Sequence, residues 1–318
     1  MGELAINKRD KARINLLAML DRRGYRFVTP TPATHAIVLA RDPGAQARDI
    51  RDILGWCLPF CEASIDEELF SALRIAEMVE GPPHRLCATA RVSSLHDQLV
   101  IHSAFPTTER DAVFFGPDSY RFADLIVAEL PPLTRTGAII VDIGTGAGVG
   151  AIATATRRPS ARVIATDINP SALAFASVNA AAASASIDFR EGDILADIEG
   201  PIDLAVANPP YIVDGEGRTY RDGGGAHGAA LSLRMVAEVL PRLAPGGRFI
   251  LYTGSAIVGG DDRFRHAAGK LANAHDCQMR YREIDPDVFG EELLLPAYAE
   301  VERIAAVAAI FINPTRSD

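Results

Sequence analysis

At 318 residues the chain suits one large or two ordinary domains, and an apolar share of 48% is enough for a substantial core. A formal net charge of −9 argues against a broad electrostatic footprint for nucleic acid and leaves only a local basic groove open. The four cysteines lack metal-finger spacing, no apolar run approaches the ~20 residues that span a bilayer, and Met1 to Arg13 is too charged for a secretory leader, so a reducing cytoplasm is the expected setting.

Periodic Ile14, Leu17 and Leu20 predict a helix from about Lys8 to Arg23, ended by Gly24. His35–Ala40 reads as a short strand, Ala45–Leu54 as a second helix and Asp66–Val79 as a third, ended by Gly81-Pro82-Pro83. Cys57 and Cys61, one helical turn apart, are expected as a buried apolar pair. Trp56 is expected to anchor a domain core or interface. Leu86–Ser94 and Gln98–Ser103 form a predicted hairpin around His96-Asp97. His84, His96 and His102 are expected at the surface or on that hairpin, without metal-site neighbours. The polar, proline-containing connector at Pro106–Asp111 divides the chain into a small α+β domain (1–110), expected to choose the substrate, and a catalytic domain (111–318). Asp118 or Ser119 is expected to cap a helix running to Leu130, stopped by Pro131-Pro132.

From Ile139 onward strands and helices alternate. Strands are predicted at Ile139–Ile143, Val163–Thr166, Ile187–Arg190, Asp203–Ala207 and Gly247–Tyr252. Helices follow the glycine turn, then run over Pro170–Ala183 behind Asn169, Ala229–Leu243 and Asp262–Ala274. Cys277–Ile284 and Val301–Ile312 complete the set. This alternation implies a doubly wound, Rossmann-like α/β sheet, and the last two strands, with no long helix between them, fit an antiparallel pair.

The first strand runs into Asp142-Ile143-Gly144-Thr145-Gly146-Ala147-Gly148-Val149-Gly150. Its glycines allow a sharp turn and close approach of backbone to a ligand, and the helix behind presents free N–H groups. A dinucleotide fingerprint wants a third glycine where Val149 stands, although a shifted frame of Gly146, Gly148 and Ala151 fits its looser form. An acid at the strand end suits a ligand with an amino group and a sulfonium instead of a phosphate. Asp-x-Gly-x-Gly-x-Gly resembles motif I of the class I S-adenosylmethionine (SAM) dependent methyltransferases. Asp167, near ~20 residues past the turn, stands where such folds place a ribose-binding acid. Asp193, after Glu191-Gly192, suits the adenine amine, with Ile194 on the ring, or is a solvated loop acid.

Ala207-Asn208-Pro209-Pro210-Tyr211 closes the fourth strand, facing the ligand crevice of a parallel sheet. The lone pair of a planar amide or aromatic amine is delocalised, so methylating it requires acceptors that hold its N–H groups and turn the lone pair toward the methyl. The Asn208 side-chain oxygen and the Pro209 carbonyl offer two, Pro209 and Pro210 stiffen the turn, and Tyr211 offers a stacking face. Transfer is then an in-line displacement aided by orientation and desolvation, with no obligatory general base.

Taken together these motifs resemble the HemK-like, small-domain methyltransferases with an Asn-Pro-Pro-Tyr motif, over roughly Phe114 to Phe311. That resemblance implies a seven-stranded sheet with a reversed last strand, use of SAM, no metal, and SAM contacts at Asp142, Gly144, Gly146, Asp167, Asp193 and Asn208. With them the flanking Phe115, Thr145, Gly148, Ile168, Asn169, Gly192 and Ile194 are expected at the cofactor. The glutamine methyltransferases of the group carry Arg-Pro-Glu-Thr before motif I, where this chain reads Phe115-Gly116-Pro117-Asp118-Ser119, and their N-terminal bundle of helices differs from the strands expected here. The expected acceptor is a protein glutamine side chain or a small amino compound. The alternatives are nucleic-acid adenine or guanine N-methylation, a nicotinamide oxidoreductase, and a non-catalytic SAM-binding module. The glycine-rich Gly215–Gly228 reads equally as a mobile lid or a surface loop. Glu291, Glu292 and Tyr298 are expected in a solvated acidic loop.

Overall fold

The computed structural model describes residues 7–130, 135–214, 218 and 220–315. The helix stop at Pro131-Pro132 and the loop positions Gly215, Glu216, Gly217 and Thr219 lie outside them.

Local capping decides where the first helices begin. In α1 (Lys8–Arg22), Asn7 and Asp10 each accept the other's backbone N–H, a reciprocal cap. The next element, α2 (Pro32–Leu39), corrects the strand expected over His35–Ala40. Thr31 accepts from the Thr34 N–H and Pro32 fills the first helical position, so two start signals outweigh the β-preference of Ile37 and Val38. The helix expected over Ala45–Leu54 shrinks to α3 (Ile50–Leu54). Asp49 caps it by accepting from the Asp52 N–H at 2.8 Å, and upstream the Ala47 N–H is bonded to the Pro59 carbonyl. Asp66 caps α4 (Glu67–Ile75). The short strands β1 (Val79–Glu80) and β2 (Cys87–Ala88) pair, and β3 (Ala90–Leu95) and β4 (Gln98–Ser103) form the hairpin turning at His96-Asp97.

This part has its own core around Leu16, Leu20, Phe27, Ile53 and Leu73. Trp56 sets its ring edge-on to Phe27 at 5.3 Å, inside that part of the chain. Cys57 and Cys61 are not on one helix; both are half-buried, and the Cys61 thiol donates to the His84 carbonyl. His102 is on the hairpin but buried, bonded to Ser93 and stacked on Phe115. Both faces of β4 are covered, so His102 is buried with Leu99, Val100 and Ile101.

The second part follows the α/β pattern. In chain order come α5 (Pro117–Glu129), β5 (Ile139–Ile143), α6 (Val149–Ala155), β6 (Arg162–Asp167), α7 (Pro170–Ala182), β7 (Asp188–Glu191) and β8 (Ile202–Ala207). They are followed by α8 (Ala230–Val239), β9 (Leu243–Val258), β10 (Asp261–Asp262), α9 (Arg263–Ala274), β11 (Gln278–Asp285) and β12 (Arg303–Ile312). Seven strands lie in the order β7-β6-β5-β8-β9-β12-β11, with β10 a short addition beside β9. Strands β5 to β9 are parallel, and β12 runs antiparallel to both β9 and β11. The reversed last strand is therefore present. β9 is much longer than the six residues expected, since it continues past Tyr252 to pair with β10 and the start of β12.

Successive residues of β5 feed opposite faces. Ile140 joins α5, α6 and α7 in one apolar layer, while Val141 and Ile143 join α8 and α9 in the other. Gly116, not Asp118 or Ser119, caps α5, with Pro117 in the first helical position and the Ser119 hydroxyl accepting from the Gly116 N–H. That shift buries Asp118 and Ser119 in the first turn. The two parts meet at α7. Val178 belongs to the N-terminal core, and buried Asn179 brackets Ile101 of β4, accepting from its N–H and donating to its carbonyl. No helix among the described residues is long and apolar enough to cross a membrane.

Candidate active site

The carboxyl ends of β5, β6 and β8 and the turn after β7 open onto one cavity of about 430 Å³. A parallel sheet places its binding crevice at this edge. Gly144 and Gly146 adopt φ of +66° and +54°, and a Cβ at either would meet nothing within 4 Å. The turn therefore borders open space that a ligand can fill.

Asp142 stands behind this turn and does not line the cavity. It is 1% exposed, and its Oδ2 accepts the Thr145 hydroxyl at 2.6 Å and the Ala151 N–H at 2.7 Å. The alternation that puts Ile140 on the α6 face puts Asp142 there too. Gly150 permits the approach, since a Cβ there would lie 2.5 Å from Asp142 Oδ1. Burial is the main cause pushing its carboxyl up to about 6, opposed by those two donors. Asp142 thus braces the loop and lends it a charge from behind.

Asp167 does line the cavity. Its two oxygens accept the Gly146 and Asn169 N–H groups, both at 2.9 Å, so it ties the glycine turn to the start of α7. Burial pushes its carboxyl up as well, with the Gly146 N–H the largest opposing influence. Each carboxylate oxygen keeps a second lone pair for a ligand. Thr145, Ile168, Asn169, Gly192, Asp193 and Ile194 share the cavity wall. Ile168 is 55% exposed, an apolar side chain held at the opening. Asp193 is ion-paired to Arg234, which also lines the cavity. Like Asp142, two more of the expected residues are elsewhere. Gly148 caps α6, and Phe115 is buried between His102 and Tyr120. Its neighbour Phe114 takes the place on the wall.

Asn208, Pro209, Pro210 and Tyr211, at the end of β8, form another part of the wall. Among the described residues nothing hydrogen-bonds the Asn208 side chain or the Pro209 carbonyl, so both remain available to a ligand. Tyr211 is not a free stacking face. It is buried, its hydroxyl donates to Asp118 Oδ2 at 2.7 Å, and its ring meets Phe289 edge-on at 5.7 Å. The described part of the glycine-rich loop clasps this motif. The Gly223 N–H donates to the Ile212 carbonyl at 2.8 Å, and a Cβ on Gly228 would strike the Tyr211 carbonyl at 2.1 Å. The described segment 220–228 therefore packs directly against the motif.

Further wall residues come from outside the two motifs. Phe114 and Tyr220 stack with centroids 5.6 Å apart, and the Tyr220 hydroxyl donates to the Thr107 carbonyl at 2.9 Å. Arg221 is ion-paired to Glu292, with Phe289 beneath its guanidinium. This corrects the solvated acidic loop expected there: Glu292 is 6% exposed, and buried Tyr298 accepts the Val213 N–H at 2.8 Å, while Glu291 alone faces solvent. Pro32 reaches the cavity from α2, so the N-terminal part contributes to the wall. Among the described residues no cluster of His, Cys, Asp and Glu has the geometry to hold a metal ion.

Residues 112–257 match the family model for the methyltransferase small domain. The chain is similar to the release factor glutamine methyltransferase of Deinococcus radiodurans, 38% identical over 155 residues, which cover 46% of this chain and 55% of that protein. It is also similar to the protein of that name from Cereibacter sphaeroides, 36% identical over 178 residues, covering 52% and 61%. The chain thus spans about half the length of the curated relatives it matches. Among solved structures, a methyltransferase from Pyrococcus furiosus aligns with a TM-score of 0.43 at 16% identity, over 64% of this chain and 89% of that one. The glycine turn, Asp167 and the Asn-Pro-Pro-Tyr loop all lie inside the segment that matches the methyltransferase small domain.

Proposed function

We propose that this chain is a SAM-dependent N-methyltransferase whose acceptor is the side-chain amide of a glutamine in a protein. One observation carries the proposal: the unpartnered Asn208 carboxamide and Pro209 carbonyl sit on the wall of the same cavity that Gly144, Gly146 and Asp167 line. Bound SAM supplies an electrophilic methyl carbon on sulfonium sulfur. The open cradle at Gly144 and Gly146 fits a ligand laid against backbone, and Asp167 has lone pairs left for two ribose hydroxyls. Asp142 behind the turn contributes negative charge toward a cationic ligand, and Asp193 stands at the far end for an amine donor. Across the cavity, Asn208 Oδ1 and the Pro209 carbonyl accept the two N–H bonds of a primary amide and so orient its nitrogen. The amide loses its proton after attack, so the step needs no general base. A glutamine is favoured over a base because the relatives are named for that reaction and the chain carries a net charge of −9.

The test has two stages. Isothermal titration should show SAM binding at one site; no binding would sink the proposal. Labelled methyl transfer should then mark a glutamine when a peptide-chain release factor is supplied, with the residue located by mass spectrometry. Label entering nucleic acid instead would reassign the acceptor to a base.

A further inference from the structure

We propose that Asp118 is a positioning residue, a buried carboxylate that sets Asn208 in register by holding Tyr211. The inference rests on the methyltransferase reading of the cavity and adds to it a residue outside both motifs.

The geometry is that of a three-way brace. Asp118 lies in the first turn of α5, where an acid is favoured by the helix N-terminus. It is 8% exposed. Its Oδ2 accepts the Tyr211 hydroxyl at 2.7 Å, and its Oδ1 accepts the Tyr252 hydroxyl from β9 at 2.7 Å. Arg121, one turn further along α5, reaches Oδ1 at 3.3 Å and Asp285 on β11 at 2.7 Å. One carboxylate therefore joins α5, the motif after β8, and β9, with β11 linked through Arg121. Hydrogen bonds to a charged acceptor are the strong kind, and these are shielded from water.

What the brace holds is the far end of a stiff segment. β8 fixes Ala207, the two prolines restrict the turn, and Tyr211 fixes its exit. The Tyr211 ring has no freedom to follow a substrate, because it lies flat against Gly254, where a Cβ would be 2.1 Å from the ring. With both ends set, the Asn208 side chain hangs from a segment with little slack. Releasing the Tyr211 hydroxyl loosens one of those ends. Both phenols stay protonated as donors, since burial and the neighbouring carboxylate push them far above their ordinary range.

A double-mutant cycle separates this role from direct contact with substrate, because Asp118 also borders the cavity. Asp118→Asn and Tyr211→Phe are each expected to lower kcat by about 10- to 100-fold, the scale of a misplaced reacting group. SAM affinity should stay within about threefold, and the double variant should be no worse than the poorer single one. Multiplicative losses would overturn the proposal and make Asp118 a substrate contact; a loss confined to SAM affinity or to melting temperature would make it cofactor-binding or merely structural. A second readout does not depend on turnover. The Asn208 carboxamide signals, assigned by their loss in Asn208→Ala, should move alike in both single variants of the 15N-labelled protein. Unmoved signals would also overturn the proposal. If the wild type transfers no methyl group while these signals do move, the methyltransferase reading fails and the brace stands.

Discussion

The two walls of the cavity are assembled over different distances in the chain. On the glycine-turn side, Asp142 holds Thr145 and Ala151, 3 and 9 residues away, and Asp167 holds Asn169 and Gly146, 2 and 21 residues away. On the Asn-Pro-Pro-Tyr side, Tyr211 reaches Asp118 across 93 residues, Arg221 reaches Glu292 across 71, and Tyr220 reaches Thr107 across 113. Short loops cost little entropy to close, so the first wall is nearly complete once β5 and β6 pair. The second exists only after α5, β8, β9 and the turn before β12 have come together. One wall is a local motif and the other is a product of the whole fold.

Substitutions that sharpen the contrast should move different constants. The largest effect is expected from Asn208→Ala, with kcat lower by about 10²- to 10³-fold, the usual loss for one oriented polar group at a reacting centre. SAM affinity should stay within about threefold, measured by titration. Asp167→Asn should do the converse. It should weaken SAM binding by about 10- to 100-fold, the worth of one or two bonds to a charged acceptor, and change kcat at saturating SAM by less than tenfold. If both variants lost affinity and turnover together, the walls would not be separable and the comparison would fail.

Stability offers a third test, where the N-terminal part is tied to the glycine turn. Asn179 of α7 bonds both backbone groups of Ile101 and also donates to the Ala147 carbonyl in the glycine turn, all within 2.9 Å. Asn179→Ala leaves those buried groups without partners and should cost about 2–3 kcal/mol, read as a lower urea midpoint at unchanged slope. A change below about 0.5 kcal/mol would show that the N-terminal part is not tied to the turn through this residue.

The same difference in range explains what the sequence disclosed. The strand-turn-helix at Asp142–Gly150, the acid at Asp167 and the strand end at Asn208 were legible because each is a contiguous pattern whose period and turn chemistry state its conformation. Asp142 was legible as important but not in its orientation. Only the alternation along β5, together with the side on which α6 packs, turns it away from the cavity. Phe114, Asp118 and Phe289 were invisible as wall residues, since no local pattern distinguishes an acid in a helix's first turn from one that holds two tyrosines across the sheet. The strand expected at His35–Ala40 failed for the opposite reason. There the signals are local, and the Thr31 cap with Pro32 in the first helical position outweighs the β-preference of Ile37 and Val38.

The smallest expected effect concerns proton balance on the local wall. Burial raises the Asp142 carboxyl to about 6, above its unfolded value of about 3.9. Relative to the unfolded chain, folding therefore favours the neutral form of this group. Its contribution to stability is fully present below about pH 3.9 and is lost as pH rises through about 6. A ligand bearing an amino group and a sulfonium prefers the opposite state, since positive charge in front of the turn favours the carboxylate behind it. SAM affinity should accordingly be flat above about pH 7 and weaken below about 6, by at most about tenfold per unit, with proton release in titrations run in buffers of different ionisation enthalpy. Asp142→Asn should remove that slope while lowering affinity at neutral pH by only a few-fold. Asp167 is pushed upward by the same burial and touches the cavity directly, so any slope remaining in Asp142→Asn belongs to Asp167. A slope unchanged in that variant would mean that the buried charge behind the turn does not reach the ligand.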